Sequence, residues 1–203
     1  MKLVIHRGAR EVGGSCVELT YEDSTILLDV GLPLDYDMNQ DPDSHLPQTL
    51  FNQFHNDKKR IDAVLLSHGH LDHYGLIDQL PNGIPLYCGK ASASLMKITG
   101  LVTAKKMKSF QPYHYRQQQS FQIGSFTITP YLMDHSAFDA YGFLVSAGEK
   151  SLFYTGDFRG HGRNPSGGHR GRNSHAACDI RCGGCDWRSM VPLPKNGLGL
   201  QGL

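Results

Sequence analysis

The segment His68–His73 places the strongest constraint on this chain, because three histidines and an aspartate lie within six residues, directly after the apolar run Ala63–Ser67. Such a run is typical of a buried strand, and in an extended stretch His68 and His70 point to the same side because side chains alternate. A turn after His70 brings the next acid and histidine to the same mouth. Imidazole and carboxylate groups are common zinc ligands. A surface loop with chance histidines is the alternative, but the concentration of ligands favours a metal site at the end of a strand.

Short apolar runs alternate with turn residues along the first 158 positions, which favours a mixed α/β (α+β) layered domain. The runs rich in β-branched and aliphatic residues predict strands at Leu3–His6, Ser15–Tyr21, Thr25–Val30, Ala63–Ser67 and Pro85–Cys88. Two hairpins are predicted further along, with turns at Gly124 and near Gly148. Helices are predicted at Asp43–Asn56 with Ser44 as N-cap, at Tyr74–Leu80 and at Lys90–Thr99.

The composition changes abruptly near Phe158. Residues 1–158 contain 13 Lys and Arg against 17 Asp and Glu, whereas residues 159–203 contain 7 against 2, together with 10 of the 23 glycines. The second stretch lacks apolar periodicity and offers little surface to bury against its ordering entropy. The sequence therefore predicts an ordered domain over 1–160 and an irregular, disordered Gly/Arg/Cys-rich tail over 161–203. A frameshifted or otherwise aberrant extension from about Gly162 is our hypothesis for the tail.

Several motifs occur in the order known from one family of hydrolases: LLDVG at 27–31, HGHLDH at 68–73, DHS at 134–136 and TGDFR at 155–159. In these motifs the chain resembles the metallo-β-lactamase superfamily. The opening EVGGSC at 11–16 and the last two motifs are most similar to the ribonuclease J and β-CASP group of RNA-processing nucleases. The resemblance covers roughly residues 1–160 and implies an αββα sandwich that is truncated, and thus incomplete, at its C-terminus.

The resemblance also implies a dinuclear metal centre. It places one metal between His68, His70 and His135, gives the second metal Asp72 and His73, and makes Asp157 the bridge between the two. Asp72 and Asp157 are the implied catalytic residues. Two Zn²⁺ ions per site are expected, with Mn²⁺ or Mg²⁺ as alternatives. A metal-bound hydroxide between two such ions is a nucleophile at neutral pH, and Asp72 could orient it or accept its proton.

The function that this resemblance implies is a metal-dependent phosphodiesterase or ribonuclease acting on RNA. Hydrolysis of a β-lactam, lactone or thioester is a second interpretation, and a truncated metal-binding remnant without catalysis is a third. The formal net charge of +1 gives no general basic field to indicate nucleic acid. The sequence shows neither an apolar run long enough to span a bilayer nor a secretory signal, which favours a cytoplasmic protein without a membrane partner. A homo-oligomer is a further expectation.

Other side chains have two interpretations each. Asp29 either forms a turn or accepts a hydrogen bond from a ligand histidine. A basic and aromatic stretch forms either a solvated loop face or a nucleic-acid surface; it contains Lys105, Lys106, Lys108, Phe110, Tyr113, Tyr115 and Arg116. The tail has irregularly spaced ligand types that could form a zinc knuckle, namely His169, His175, Cys178, Cys182 and Cys185.

Overall fold

A mixed six-stranded sheet occupies the centre of the computed structural model, which describes residues 1–37, 45–54, 60–102, 111–159 and 180–183. In order across the sheet, its strands are β1 (Lys2–Arg7), β2 (Cys16–Tyr21), β3 (Ser24–Leu28), β4 (Ala63–Leu65), β5 (Leu86–Cys88) and β6 (Tyr113–His114). The pairs β1–β2 and β2–β3 are antiparallel, and the strands from β3 to β6 are parallel to one another. The five strands that the sequence predicts in this region are confirmed, and the two-residue β6 was not predicted.

The second sheet has five strands, all antiparallel. In chain order they are β7 (Phe121–Ile123), β8 (Phe126–Leu132), β9 (Tyr141–Ala147), β10 (Lys150–Tyr154) and β11 (Ile180–Gly183). The hairpin turns predicted at Gly124 and Gly148 are confirmed, and both glycines have the positive φ that such turns need, 53° and 58°. Strand β11 belongs to the segment predicted to be irregular, and its four residues pair with β10. After Arg159, the structure describes only these four residues, 180–183.

The helices are shorter than predicted in two of three cases. Helix α1 covers Gln48–Asn52 with Pro47 at its N-cap, so the predicted start is wrong; the predicted cap Ser44 and the predicted end Asn56 lie outside the described residues. Helix α3 (Lys90–Val102) extends slightly past its predicted end. Among the described residues, no helix is long and apolar enough to cross a membrane.

The predicted helix Tyr74–Leu80 is wrong in its bounds. Helix α2 instead starts inside the histidine segment and covers Leu71–Tyr74, and a separate 3₁₀ turn follows at Ile77–Gln79. Continuing α2 would require the Leu76 N–H to bond to the Asp72 carbonyl. That carbonyl accepts from the Ser15 N–H at 3.0 Å, and Leu76 donates to the Val30 carbonyl at 3.1 Å. Contacts with β-strand connections therefore end the helix.

Two apolar cores lie on opposite faces of the first sheet. Alternate strand residues such as Leu28 and Leu65 face the second sheet, where they are buried with Phe126, Phe143 and Tyr154. Their neighbours in the strands face the other way, toward a core to which all three helices contribute; this core includes Leu27, Val64, Leu50, Tyr74 and Met96. The described residues thus form a helix layer and two sheets, three of the four layers of the αββα sandwich that the resemblance implies.

Candidate metal centre

The backbone of the histidine segment is fixed by the connections that precede β2 and follow β3. The Ser15 N–H donates to the Asp72 carbonyl at 3.0 Å, and the Val30 N–H donates to the His73 carbonyl at 2.8 Å. Between these contacts the chain passes so close that a Cβ on Gly31 would lie 1.7 Å from the Asp72 carbonyl oxygen. Only glycine fits at this point, which explains the glycine that ends the LLDVG motif.

Three histidine nitrogens meet where β4 ends. His68 Nε2 lies 3.1 Å from His70 Nδ1, and His135 Nε2 lies 3.3 Å from the same atom. Two nitrogens bound to one zinc at about 2.0–2.1 Å in a tetrahedral arrangement are about 3.3–3.4 Å apart. The spacing and donor chemistry of these three side chains therefore fit a divalent metal ion.

A second group of ligand atoms consists of His68, His73 and Asp157, and its atoms lie within 4.8 Å of one another. The two oxygens of Asp157 face different histidines: Oδ1 is 3.4 Å from His73 Nε2, and Oδ2 is 3.8 Å from His135 Nε2. Asp157 thus belongs to the second group and also faces a histidine of the first. Asp72 Oδ2 is 3.8 Å from His73 Nε2, so this carboxylate is adjacent to the second group although it belongs to neither set of three.

The carboxylate of Asp29 holds His73 and the end of β4 by hydrogen bonds. It is completely buried, and its Oδ2 accepts hydrogen bonds from His73 Nδ1 at 2.7 Å, Ser67 Oγ at 2.7 Å and the Tyr154 hydroxyl at 2.6 Å. Its Oδ1 accepts from the Ser67 N–H at 2.7 Å. The bond to Nδ1 leaves His73 Nε2 directed at Asp157, which is the arrangement that favours a ligand histidine. Of the two interpretations of Asp29, the structure supports the one in which it accepts a hydrogen bond from a predicted ligand histidine, His73.

Burial and charge act differently on the two innermost histidines. Burial, reinforced by the proximity of His73, lowers the pKa of His68 to about 2, so this imidazole is neutral and has a lone pair to donate. Burial also opposes a charge on His73, but the Asp29 and Asp157 carboxylates outweigh it and raise its pKa to about 10. His73 is therefore protonated at neutral pH, and a metal ion bound at its Nε2 would displace that proton.

The pKa of Asp157 is lowered: burial opposes the charge on this carboxylate, but the hydrogen bond and positive charge of His73 outweigh burial. The carboxylate is therefore ionised at neutral pH, the form that coordinates a cation. In His135, burial is the largest influence and lowers the pKa, which favours the neutral ligand form.

The sequence analysis did not predict a role for three residues whose hydrogen bonds support this candidate centre, namely Ser67, Tyr154 and Arg159. Arg159 Nη2 donates to Asp134 Oδ1 at 2.8 Å and to the His135 carbonyl at 3.0 Å. Ser67 and Tyr154 both donate to Asp29. The sequence signal for Arg159 is its place at the end of TGDFR, whereas Tyr154 is indistinguishable from an ordinary apolar strand residue.

The structure describes only some residues of the two other candidate sites, the basic and aromatic stretch and the His/Cys cluster of the tail. Tyr115 is buried, and its hydroxyl donates to the Leu66 carbonyl, so both interpretations, a solvated loop face and a nucleic-acid surface, are wrong for this residue. Tyr113 is exposed and stacks on Tyr87, while Lys105, Lys106, Lys108 and Phe110 lie outside the described residues. Of the tail cluster, Cys182 lies in β11, whereas His169, His175, Cys178 and Cys185 lie outside the described residues.

A family model described as a β-lactamase superfamily domain matches residues 37–188, which is most of the chain. The chain belongs to the β-lactamase superfamily. The match extends through β11, so it includes part of the segment predicted to be a separate tail.

Sequence relatives of this superfamily member include nucleases. It is 27% identical over 161 residues to ribonuclease J of Mycoplasma pneumoniae, covering 78% of this chain and 28% of the relative. It is 38% identical over 114 residues to transcription termination factor FttA of Methanosarcina mazei, covering 52% of this chain and 17% of the relative. The chain therefore spans less than a third of the length of either relative.

Solved structures confirm the fold of this superfamily member. A protein of unknown function from Enterococcus faecalis aligns with a TM-score of 0.69 and 24% identity, over 80% of this chain and 44% of that one. The metallo-β-lactamase fold protein YhfI from Bacillus subtilis aligns with a TM-score of 0.52 and 21% identity, over 76% and 62% of the two chains. The predicted α/β class, the metallo-β-lactamase fold and the predicted membership of a hydrolase superfamily are confirmed.

Proposed function

We propose that this chain contains the metal centre of a phosphodiesterase that cleaves RNA. The observation that carries the proposal is the position of Asp157, whose two oxygens face His73 on one side and His135 on the other. One carboxylate thereby joins two groups of ligand atoms, as a centre for two metal ions requires. Such centres act on phosphodiesters because paired cations stabilise both the attacking and the leaving oxygen.

Each predicted ligand has a distinct place in this proposal. His68, His70 and His135 would hold one divalent ion, and Asp72 and His73 would hold a second, with Asp157 between them. Zinc is the proposed metal because the donors are mainly imidazole nitrogens, with Mn²⁺ or Mg²⁺ as alternatives. When bound, the metals would lower the pKa of water and offset charge on the phosphate.

Two further roles, handling the water molecule and orienting a histidine, fall to the Asp72 and Asp29 side chains. The Asp72 side chain is 18% exposed and faces His73 Nε2 at 3.8 Å, so it can both reach a water molecule in the site and remain near the second ligand group. We assign it the task of orienting that water and accepting its proton. Asp29 keeps His73 in the tautomer and direction that this arrangement needs.

RNA is proposed as the substrate because ribonuclease J and a transcription termination factor are among the relatives. We further propose that the protein is cytoplasmic and homo-oligomeric. Its proposed organisation is an ordered domain over 1–160 followed by the tail 161–203. Hydrolysis of a lactam, lactone or thioester is the alternative for the same metal centre. A metal-binding remnant without turnover is the second alternative, motivated by the small share of each relative that the chain spans.

The experiment compares substrates and variants in the full 203-residue chain. A 5′-labelled RNA and a panel of lactams, lactones and thioesters are each incubated with the protein and added Zn²⁺ or Mn²⁺. We expect RNA cleavage that is abolished in His68→Ala and Asp157→Ala and retained in His114→Ala. His114 is an exposed histidine in β6, two strands across the sheet from β4, and its Nδ1 lies 3.1 Å from the Cys88 carbonyl oxygen. Turnover of the ester or lactam panel alone, or bound metal without turnover of any substrate, contradicts the proposal.

A further inference from the structure

The loop that carries His135 is attached to helix α3 by the carboxylate of Asp139. Asp139 Oδ2 accepts from the Ala91 N–H at 2.8 Å, and Oδ1 accepts from the Ser92 N–H at 3.0 Å and from Ser92 Oγ at 2.5 Å. The Ser92 side chain that makes this contact is fully buried. Two residues of the first turn of α3 are thus bound to a loop more than 45 positions later in the chain.

The contact between Asp139 and the start of α3 is closely packed, and it goes with an unusual backbone conformation at Asp139. A Cβ on Gly89 would lie 2.3 Å from Asp139 Oδ2, so the carboxylate lies directly against the chain that enters α3. Asp139 itself has a φ of 48°, a left-handed conformation that non-glycine residues rarely adopt. Such conformations persist when the surrounding contacts determine them, and here the hydrogen bonds to α3 supply those contacts.

The same loop is fixed at its other end. The Met133 N–H donates to the Ala140 carbonyl at 2.9 Å and closes the loop at its base, while Arg159 holds the His135 carbonyl. His135 Nε2 must reach His70 Nδ1, 3.3 Å away, to complete the first ligand group. Arg159 contacts Asp134 and His135 at the N-terminal end of the loop, whereas Asp139 lies at its C-terminal end, so the two residues restrain the loop from opposite ends of its sequence.

We propose that Asp139 is a positioning residue for His135: by fixing the loop to α3 it holds the imidazole at the first metal site. The inference rests on the proposed function in one respect, because it needs His135 to be a metal ligand. A simple N-cap of α3 would stabilise the helix without affecting the metal. The proposal therefore requires that metal affinity, and not stability alone, depends on the Asp139 carboxylate.

The test measures metal affinity in the full chain by competition with a chromophoric chelator, and the visible spectrum of the Co²⁺-loaded protein. The variants are Asp139→Ala, Asp139→Asn and His135→Ala. We expect Asp139→Ala to weaken the affinity for the first ion about 10- to 100-fold, as changes to residues that orient ligands do, and to alter the Co²⁺ spectrum. Asp139→Asn keeps an acceptor oxygen for Ser92 and is compatible with a positive φ, so it should recover most of the affinity.

Ser94→Gly is the matched control, because Ser94 is exposed on the same helix and its hydroxyl donates to the Lys90 carbonyl. Glycine weakens a helix interior without touching the loop, so the affinity should stay within about twofold of wild type. The inference alone is overturned if His135→Ala weakens binding and Asp139→Ala does not, or if Ser94→Gly weakens binding as much as Asp139→Ala. The proposed function fails as well if wild type binds no metal or if His135→Ala leaves the affinity unchanged.

Discussion

The buried carboxylate of Asp29 receives hydrogen bonds from groups that lie 38, 44 and 125 positions away in the chain. Two of its donors, Ser67 and Tyr154, are not proposed metal ligands but share the acceptor of His73. The Ser67 hydroxyl also lies 3.0 Å from His68 Nδ1 and 3.3 Å from His73 Nδ1. Asp29 could be recognised from sequence only as an acid at the end of a strand, because its partners are assembled by both sheets. Three of the proposed ligand histidines, by contrast, lie within the six residues His68–His73, and their local spacing predicts a metal site. His135 lies far from them in the chain, and only the family resemblance predicted its role.

Replacing Asp29 with alanine should destabilise the protein severely. The change leaves the Ser67 and Tyr154 hydroxyls and His73 buried without their acceptor, and removing one partner of a buried charged pair costs about 3–5 kcal/mol. The measurement is urea unfolding of the metal-free protein. Asp35→Ala, which removes an exposed acid in the same region, should stay within about 0.5 kcal/mol of wild type; equal losses in both variants would show that Asp29 has no special role.

The buried, neutral state of His68 predicts that the metal-free protein becomes less stable toward unfolding at acid pH. Its folded pKa is about 2 against an ordinary 6.5, so the unfolded chain takes up a proton that the folded one does not. The free energy of unfolding should therefore fall as pH drops below about 6.5, by up to about 1.4 kcal/mol per pH unit. In His68→Gln this slope should be reduced, as followed by urea unfolding with excess chelator, while His114→Gln should parallel wild type. Parallel curves for all three proteins would contradict the prediction.

At the scale of elements, local patterns predicted the strands and the two hairpins well. Gly124 and Gly148 supply the positive φ of their turns, and turn chemistry of this kind is readable from a few adjacent residues. The helix predicted at Tyr74–Leu80 failed because the Leu76 N–H bonds to Val30 and not within the helix. Such a bond depends on a connection 46 positions earlier, which no local pattern contains.

The close approach at Gly31 predicts that alanine there destabilises the fold where the histidine segment contacts the connection after β3. A Cβ would meet the Asp72 carbonyl oxygen at 1.7 Å, and neither backbone segment can move without losing its hydrogen bonds. We expect Gly31→Ala to lower the free energy of unfolding by at least the upper end of the ~1–3 kcal/mol typical of overpacking. Gly69→Ala is the control within the histidine segment, because its Cβ would make ordinary contacts of 3.6 Å or more with Ser92. The account of Gly31 is wrong if the two variants unfold at the same urea concentration.

For the whole molecule, the composition break near Phe158 identified where the acidic, motif-bearing part of the sequence ends. It did not predict β11, because four residues of a Gly-rich segment carry no periodic signal and acquire a strand conformation by pairing with β10. The family match to residue 188 agrees with that pairing. The layered α/β class followed, in contrast, from the alternation of strands and helices along the chain, whereas the order of the layers was predicted only from the family resemblance.

Removing β11 should weaken the second sheet. A chain of residues 1–159 exposes the hydrogen-bonding edge of β10, and exposed edges promote association. We expect a lower Tm, by about 2–4 °C for each kcal/mol of pairing lost, and more aggregate in size-exclusion chromatography than for the full chain. A chain of residues 1–188, which retains β11 and the whole family match, should behave like the full chain. If residues 1–159 alone match the full chain in both measurements, the pairing of β11 has no energetic weight.

The metal content of the whole purified chain tests the central claim most directly. Six side chains that are scattered between positions 68 and 157 are assigned to one centre for two ions. Inductively coupled plasma mass spectrometry on protein loaded with Zn²⁺ and freed of excess metal should give two ions per chain, with a reduced content in Asp157→Ala and His68→Ala and no change in His114→Ala. One ion or none in the wild-type chain, or the same content in all four proteins, would contradict the claim.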